Sequence, residues 1–403
     1  MTQHVEIRQW PFARTTPLDP PPELAELRRE CPISSVELWD GTTPWLMTRY
    51  RDIRAVLSEP RFSSDVTLEG FPQSSETVAR ARGGQKSFAR MDPPVHDEHR
   101  RMLAKDFLVH SITELRPYLE QLVDGLLDAM EQDGPPVDLL PAFAQAVPAN
   151  AICRLLDLPG DHSDFFQERV STWMSLESTP EVAAKAGADV VQYFADLVVE
   201  RQAEVRAGRS GDIVSRLISD HLFTGHLTRH ELTHMLHLLL VGGFDTTANM
   251  ISLGTITLLQ HPEQLAELRD DPSLAPGAVE ELLRYLTVAH HVAFRMATDE
   301  LEVGGHCVHA GEGVIAPLAA ANRDPEVFPD PDRFDIHRDA RRHVAFGFGI
   351  HQCLGQHLAR LELTVVFERL FRRFPKLALA VPHNRINYRN SMIYGVASLP
   401  VTW

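Results

Sequence analysis

The stretch FGFGIHQCLG, residues 346–355, decides the fold because it frames one cysteine, Cys353, with three glycines and a histidine. Leucine and valine recur at helical spacing after it, so Cys353 is predicted to lie at a helix N-terminus. The unpaired backbone N–H groups and positive dipole end found there favour an anion, which predicts a thiolate. Gly347 and Gly349 permit a tight turn before the cysteine, and Gly355 leaves room for a bulky group against the first helical turn.

A single thiolate has few chemical roles, and the surrounding sequence narrows them. A cysteine nucleophile needs a base; His351 is near in sequence, but no signature of a thiol hydrolase surrounds the motif. A zinc site needs further soft ligands, which His351 and His357 do not supply by themselves. The role left for Cys353 is that of axial ligand to a haem iron.

The loop resembles the haem-binding loop of the cytochrome P450 superfamily, Phe-Gly-x-Gly-x-(His/Arg)-x-Cys-x-Gly, and matches it at every fixed position. The resemblance implies haem b as cofactor, with Cys353 as iron ligand and Phe346 and Gly347 among the haem-binding residues. It also implies a mainly α fold with small β-sheets, a triangular prism in which the haem lies between a long central helix and the helix after the cysteine.

A second motif, GGFDTT, lies in the apolar run LLLVGGFDTTANMISL, residues 238–253. Glycine costs about 1 kcal/mol relative to alanine inside a helix, so helix stability alone does not explain these residues. The hydroxyl of Thr246 can bond to the carbonyl of Gly242, four residues earlier, and open a groove for a small diatomic ligand. Asp245 beside it is a carboxylate that can relay protons. Taken alone, the segment also fits an irregular core helix.

This second motif resembles the oxygen-activation motif of the superfamily, (Ala/Gly)-Gly-x-(Asp/Glu)-Thr-Thr. The resemblance implies catalytic roles for Asp245 and Thr246 and a place for Gly242 in the cofactor site.

Haem carries two carboxylates, which need cationic partners or solvent. Taken singly, each candidate cation is typical of a surface residue or of a histidine satisfied in the core. The resemblance implies the binding role for four residues: His96, Arg100, Arg295 and His351.

Glu281 and Arg284 place opposite charges at i and i+3 on one helical face, a spacing more often seen on solvated surfaces. Their position before a hairpin, the stretch PDRF and the cysteine loop resembles that of the superfamily's Glu-Arg pair. The resemblance implies a structural role in which the pair binds Arg333 or Arg338.

Helical periodicity dominates residues 95–290, and strands are predicted in two places. VELWDGTTPWLMT reads as a hairpin around Asp40-Gly41, and ELEVGGHCVHAGEGVIAP as another around Gly304-Gly305. No repeat or Gly/Ser linker divides the chain. Because the motifs must meet around one haem, residues 1–403 are predicted to form a single domain.

The formal net charge of −16 argues against a nucleic-acid partner. The four cysteines are widely spaced and form no CxxC pair, which favours a reducing compartment. The most apolar stretch, residues 235–243, is too short to span a membrane, and the N-terminus lacks a secretory signal pattern. We therefore expect a cytoplasmic location.

The resemblance is closest to soluble actinobacterial members that receive electrons from a ferredoxin and its reductase. It implies a monooxygenase that uses O2 and two electrons to hydroxylate or epoxidise a medium to large apolar molecule, such as a polyketide, a terpenoid or a drug-like compound. Pocket residues are expected within residues 62–91, before Gly242, and around 288–292 and 392–393, with His290 and His291 facing solvent.

A local cationic patch could steer an acidic ferredoxin despite the negative net charge. Its predicted members are Arg100, Arg101, Lys105, Arg338, Arg341, Arg342 and Arg360.

Two alternatives stay open at this point. WPFARTTPLDPPPEL and the GFP at residues 70–72 also resemble fungal denitrifying members, which reduce nitric oxide with NADH. Those members replace the acid-threonine pair, whereas this chain keeps Asp245 and Thr246. A non-catalytic haem protein that binds a gas would gain nothing from that pair.

Overall fold

The computed structural model describes residues 7–76, 79, 87–159, 162–174, 178–389 and 391–403. Helices predominate and the sheets are small, so the predicted mainly α class is confirmed. The α-helices are α1 Pro22–Glu30, α2 Tyr50–Ser58, α3 Val95–Ala104, α4 Val109–Thr113, α5 Arg116–Asp133, α6 Ala146–Leu155, α7 Ser163–Met174, α8 Pro180–Arg206, α9 Ile213–Leu217, α10 Arg229–Gln260, α11 Pro262–Asp270, α12 Ala275–Leu286, α13 Leu318–Asn322 and α14 Gln356–Arg373. Within the described residues, none of the helices combines the length and apolar character needed to cross a membrane.

The strands are short and are shared among several sheets. They are β1 Arg8–Gln9, β2 Ile33–Glu37, β3 Trp45–Met47, β4 Phe62–Ser63, β5 Val137–Asp138, β6 Phe294–Ala297, β7 Leu301–Val303, β8 His306–Val308, β9 Gly313–Ile315, β10 Ala378–Leu379, β11 Tyr388–Arg389, β12 Gly395–Val396 and β13 Pro400–Thr402.

Internal packing divides the chain into two units. The first contains residues 1–98, 280–334 and 338–353, and the second contains residues 99–279, 335–337 and 354–403. Both units are assembled from distant parts of the sequence. The expectation of a single domain over 1–403 stays a prediction.

The first unit is organised around a mixed sheet with the strand order β1-β2-β3-β9-β6-β4. The predicted hairpin joins β2 and β3, and Gly41 at its turn has a φ of +80°, a conformation that favours glycine. Strand β3 then pairs in parallel with β9, and β9 pairs antiparallel with β6, so that Arg295 lies opposite Val314. The sheet thereby fixes the position of Arg295.

A separate hairpin of the first unit joins β7 and β8, as the Gly304-Gly305 pair predicts. Both glycines have positive φ, +58° and +81°. Leu301, Val303 and Val308 are buried on one face of the hairpin. Strand alternation therefore exposes the residues between them on the other face.

The second unit is helical, and α10 runs through it. This helix begins with a capping box, in which Thr228 and Glu231 bond each other's backbone N–H groups. It is buried on nearly all sides from Leu232 to Leu258 and packs against α6 and α8. Helix α14 packs against α5, where Arg369 pairs with Asp124 over 2.7 Å. Two small sheets, β10-β13-β5 and β11-β12, complete the unit.

Candidate functional site

Cys353 lies in a loop whose backbone only glycine adopts readily. Gly347 and Gly349 both have a φ of +74°, and a Cβ at Gly349 would collide with the carbonyl oxygen of Leu57. The N–H of Cys353 donates to the carbonyl of Phe346 over 2.8 Å and closes the loop. The predicted tight turn is thus present.

The helix that follows is α14, whose first residue is Gln356 and whose N-cap is Gly355. Cys353 therefore stands just before the helix rather than in its first turn. A Cβ at Gly355 would meet no atom of the described residues within 4 Å, so the space beside this turn is open. That space fits the prediction of a bulky group against the helix start.

The other three cysteines differ from Cys353 in their surroundings. Cys31 directs its thiol to the carbonyl of Ile33 at 3.3 Å. Burial raises the pKa of Cys153 to about 12. Partial desolvation and the nearby carboxylate of Glu300 raise the pKa of Cys307, which is exposed on β8. Neither Cys153 nor Cys307 shares the glycine-framed loop that precedes a helix at Cys353.

A histidine pair lies within the first unit, on the helix and loop that the sequence singled out. His96 on α3 is only 1% exposed, and its Nδ1 lies 2.7 Å from the carboxylate of Asp97. Its Nε2 is buried without a hydrogen-bond partner in the described structure. The ring of His351 lies 4.4 Å away, centroid to centroid. The structure thus brings together these two predicted cofactor contacts.

Two guanidinium groups, the buried Arg295 and the half-buried Arg90, accompany the histidines. Arg295 on β6 is 6% exposed, and its side chain donates to the carbonyl of Phe294 over 2.8 Å. Burial, reinforced by the positive charge of Arg90, lowers the pKa of Arg295 to about 10. Burial also lowers the pKa of Arg90 to about 10. The carboxylate of Asp92 does not compensate fully, because it bonds to Ser63 and to the N–H of Ser64.

Buried cations without carboxylate partners are costly unless an anion joins them. Among the described residues, neither Arg90 nor Arg295 has a carboxylate within 4 Å, and the Nε2 of His96 is orphaned. These groups fit the carboxylates of the predicted haem. Arg90 was missed by the sequence analysis, since a lone arginine before a proline-rich turn carries no spacing signal. Arg100, the remaining predicted contact, is half-buried on α3.

The acid-threonine motif lies in the middle of α10, in the second unit. The hydroxyl of Thr246 donates to the carbonyl of Gly242 over 2.8 Å, as the sequence predicts. Gly242 is exposed and Thr246 is half-exposed, although the helix around them is buried. A Cβ at Gly242 would meet no described atom within 4 Å. The helix therefore carries an open groove at the predicted position.

Asp245 is buried beside this groove, with 1% exposure. One carboxylate oxygen lies 3.4 Å from the guanidinium of Arg389 on β11, and the other has no partner in the described structure. Burial raises the pKa of Asp245, while Arg389 acts in the opposite direction. Asn249 donates to the Asp245 carbonyl over 2.8 Å and accepts from Arg389 at 3.1 Å. Sequence reasoning missed Arg389 because it lies 144 residues away in the chain.

The Glu281-Arg284 pair is wholly buried, so the common surface interpretation of this spacing does not apply. Arg284 donates to the Glu281 carboxylate over 2.6 and 2.8 Å, and to the carbonyls of Asn322 and Pro331. Between the two predicted candidates, Arg338 is the residue whose side chain reaches Glu281, at 3.2 Å. Arg333 contributes its carbonyl, which accepts from Arg338 at 3.1 Å.

Two expectations about exposed residues were wrong. His290 and His291 are buried and stacked with ring centroids 4.0 Å apart, and His291 packs edge-on against Trp10. Burial lowers the pKa of His291 to about 4. Arg338 is a member of the predicted cationic patch, but its side chain is only 12% exposed because it pairs with Glu281.

The chain is similar to known proteins over nearly its whole length. The family model described as Cytochrome P450 matches residues 162–379, more than half of the chain. Cytochrome P450-SU2 of Streptomyces griseolus is 47% identical, covering 96% of this chain and 94% of its own. The vitamin D3 dihydroxylase of the same organism is 44% identical, covering 100% and 98%. The crystal structure of GfsF superposes with a TM-score of 0.93 at 42% identity, covering 98% and 100%.

Proposed function

The chain belongs to the cytochrome P450 family and is a P450 monooxygenase, and from this premise we propose that it hydroxylates or epoxidises a medium to large apolar molecule with electrons from a ferredoxin. The observation that carries the proposal is the buried Asp245 next to Thr246 on the open groove of α10. A carboxyl group and a hydroxyl at such a groove can deliver protons, which oxygen activation consumes.

Haem b is the family's cofactor, and when bound it supplies the chemistry that activates O2. We propose that Cys353 would supply the protein ligand to its iron, and that Phe346 and Gly347 beside the cysteine and Gly242 on α10 would be among its contacts. The open space at Gly355 supports this assignment. We propose that the haem carboxylates bind His96, Arg100, Arg295 and His351, and also Arg90.

Asp245 is suited to hold and pass a proton. Burial favours its neutral form, whereas Arg389 favours the ionised form, so the two effects oppose each other. The carboxylate oxygen that has no partner in the described structure is available to take up and release a proton. The hydroxyl of Thr246 donates to Gly242, which leaves its oxygen lone pairs free to accept.

The electron donor is proposed to dock on a cationic surface of the first unit. Arg342 and Arg51 are exposed, and the guanidinium of Arg54 lies 3.9 Å from the ring of Phe348 in the cysteine loop. These cations line one groove beside the loop that holds Cys353, where the three arginines outnumber the two carboxylates of Asp324 and Glu326. An acidic ferredoxin would be attracted to this groove although the chain is acidic as a whole. Arg338 no longer belongs to the proposed surface.

The substrate class is supported by one relative, whose printed name specifies vitamin D3, and by the apolar character of the expected pocket positions. Ala289 and Val292 are half-buried and apolar, and Ile393 is buried. Of the expected segment 62–91, residues 77–78 and 80–86 lie outside the described residues. The four free cysteines support the proposal of a cytoplasmic location.

The testing experiment combines a spectrum with a turnover assay. Reduced protein with carbon monoxide should show the strongly red-shifted Soret band of thiolate-ligated haem, and Cys353→Ser should abolish that band. Cys307→Ser is the matched control and should leave it unchanged, because that thiol is exposed and neutral.

Turnover with ferredoxin, its reductase and 18O2 should then place one labelled atom in an apolar substrate. Loss of the red-shifted band in Cys307→Ser rather than Cys353→Ser would overturn the ligand assignment. Nitric oxide reduction with NADH alone and no labelled product would favour the denitrifying alternative, and gas binding without turnover would favour a carrier.

A further inference from the structure

The β7–β8 hairpin of the first unit carries a set of metal-ligating side chains that oxygen activation does not use. Strand pairing places Glu302 directly opposite Cys307, and the opposite face of the hairpin is buried. Because side chains alternate along a strand, Glu300 and His309, two residues further along each strand, belong to the same exposed face. One face of a short hairpin thus presents a thiol, an imidazole and two carboxylates.

Three of these groups already converge. The Sγ of Cys307 lies 3.9 Å from the Nδ1 of His309, and this Nδ1 lies 3.6 Å from the carboxylate of Glu300. The three ligand atoms all lie within 4.8 Å of one another. Tetrahedral Zn²⁺ with ordinary Zn–S, Zn–N and Zn–O bond lengths requires ligand atoms about 3.4–3.6 Å apart. Small side-chain rotations would therefore complete the geometry.

The backbone that carries the ligands is fixed on both sides. The Gly304-Gly305 turn closes the hairpin, and the N–H of His309 donates to the carboxylate of Glu312 over 2.8 Å. The indole of Trp45 on β3 donates to that same carboxylate over 2.8 Å. Binding an ion therefore orders few additional backbone bonds, which limits the entropic cost of binding.

We propose that Glu300, Cys307 and His309 form a binding site for a zinc-like divalent cation, with Glu302 within reach as a fourth ligand. A thiol with an imidazole selects Zn²⁺ over Mg²⁺ or Ca²⁺, which prefer oxygen ligands. The carboxylates around the thiol attract a cation, and their negative charge offsets the charge of the bound ion. This site is independent of the proposed oxidation reaction.

The test uses the haem-loaded protein, stripped of loosely bound metal with a chelator and dialysed against Zn²⁺ alone. Metal analysis should find one Zn²⁺ per chain, with affinity at least 10-fold lower in Cys307→Ser and in His309→Gln. His306→Gln is the matched control: this histidine is on the same strand but packs against Trp45, with ring centroids 4.0 Å apart, and its replacement should leave affinity unchanged. An intact carbon monoxide spectrum verifies folding in each variant.

A second readout follows the thiol itself. Zn²⁺ should slow alkylation of Cys307 by iodoacetamide at least 10-fold, measured on the corresponding peptide by mass spectrometry, whereas Mg²⁺ should not. A rival zinc-binding pair is offered by His230 and His234, whose Nε2 atoms lie 3.1 Å apart on α10. Zinc binding that survives Cys307→Ser but disappears in His230→Gln would overturn the proposal, as would unprotected Cys307 at saturating Zn²⁺.

Discussion

At the scale of single residues, the informative positions are buried ionisable groups. Glu362 on α14 is wholly buried, and burial raises its pKa to about 8, while a hydrogen bond with Thr247 acts in the opposite direction. At Asp245, too, burial raises the pKa while the partner Arg389 acts in the opposite direction. The sequence motif singles out Asp245, but no pattern marks Glu362, because its burial depends on which helices pack together.

Glu362 should make stability depend on pH. Its folded pKa lies above the unfolded value of 4.5, so its contribution to stability is complete below about pH 4.5 and is lost as pH rises through about 8. Glu362→Gln cannot ionise, so its gain in unfolding free energy over the wild type should grow from under about 1 kcal/mol at pH 5 to several kcal/mol at pH 9. Denaturant unfolding at both pH values measures this difference.

The control for that experiment is Glu368→Gln on the same helix, where the carboxylate is partly exposed and pairs with Arg116 at 2.5 Å. This change should alter stability equally at the two pH values. A Glu362→Gln difference that is independent of pH would contradict a neutral carboxyl at this position.

Arg389 should set the working pH range of Asp245. Without the guanidinium, burial acts alone, so Arg389→Gln should raise the pKa of Asp245 further and shift the pH profile of product formation to higher pH. Asp245→Asn should lower the rate about 100-fold or more at every pH, since no proton can be passed there. The measurement is the rate of product formation across a pH series.

Arg385→Gln provides the comparison, because this arginine is exposed in the same C-terminal region. It should leave the profile unchanged. A profile that does not move in Arg389→Gln would mean that the contact with Asp245 has no part in proton delivery.

At the scale of elements, buried arginines hold the irregular segment before the cysteine loop. Arg284 and Arg338 together bond to Glu281 and to backbone carbonyls along residues 322–333. Asn322 extends the network, since its side chain accepts from the N–H of Val344, two residues before the loop. These hydrogen bonds hold the backbone of a stretch that has neither helix nor strand in one conformation.

Arg338→Ala should therefore destabilise this segment by about 1–3 kcal/mol, because the buried Glu281 loses a charge-assisted bond and three backbone carbonyls lose a donor. Arg284→Ala should cost more, about 3–5 kcal/mol, since it removes the two shortest hydrogen bonds that the buried Glu281 carboxylate accepts. Thermal unfolding and haem retention after gel filtration measure both effects. Arg341→Ala removes an exposed arginine from the same segment before the loop, so a loss as large as that of Arg338→Ala would refute this account.

Elements also show what sequence could and could not predict. The Thr246–Gly242 bond was predictable because a helix fixes the distance between residues four apart. The turns at Gly41 and Gly304 were predictable because their backbone needs a positive φ, which favours glycine. The sequence could not predict that Arg338 rather than Arg333 binds Glu281, because this depends on the three-dimensional course of the segment between the two arginines. His290 and His291 were wrongly expected in solvent since their burial depends on Trp10, far away in the chain.

At the scale of the whole molecule, the local charge at one groove differs in sign from the net charge of the chain. Asp and Glu number 55 against 39 Lys and Arg, so the net field repels an acidic partner. The groove that includes Phe348 is nevertheless lined by three arginines against two carboxylates. Such a local surface can govern the encounter rate at short range, where the distant charges are screened by salt.

Reversing one of these charges should slow reduction by ferredoxin without changing the reaction itself. Arg342→Glu should lower the second-order rate constant for ferredoxin about 10-fold or more at low salt, and the deficit should shrink as ionic strength approaches physiological values. Stopped-flow reduction under carbon monoxide measures the rate, and the equilibrium spectrum checks that the thiolate ligand is intact. Arg372→Glu on α14 makes the same change in net charge at another exposed position, so it separates a local effect from a global one. Equal losses in the two variants would mean that net charge alone governs docking, and the groove would lose its proposed role.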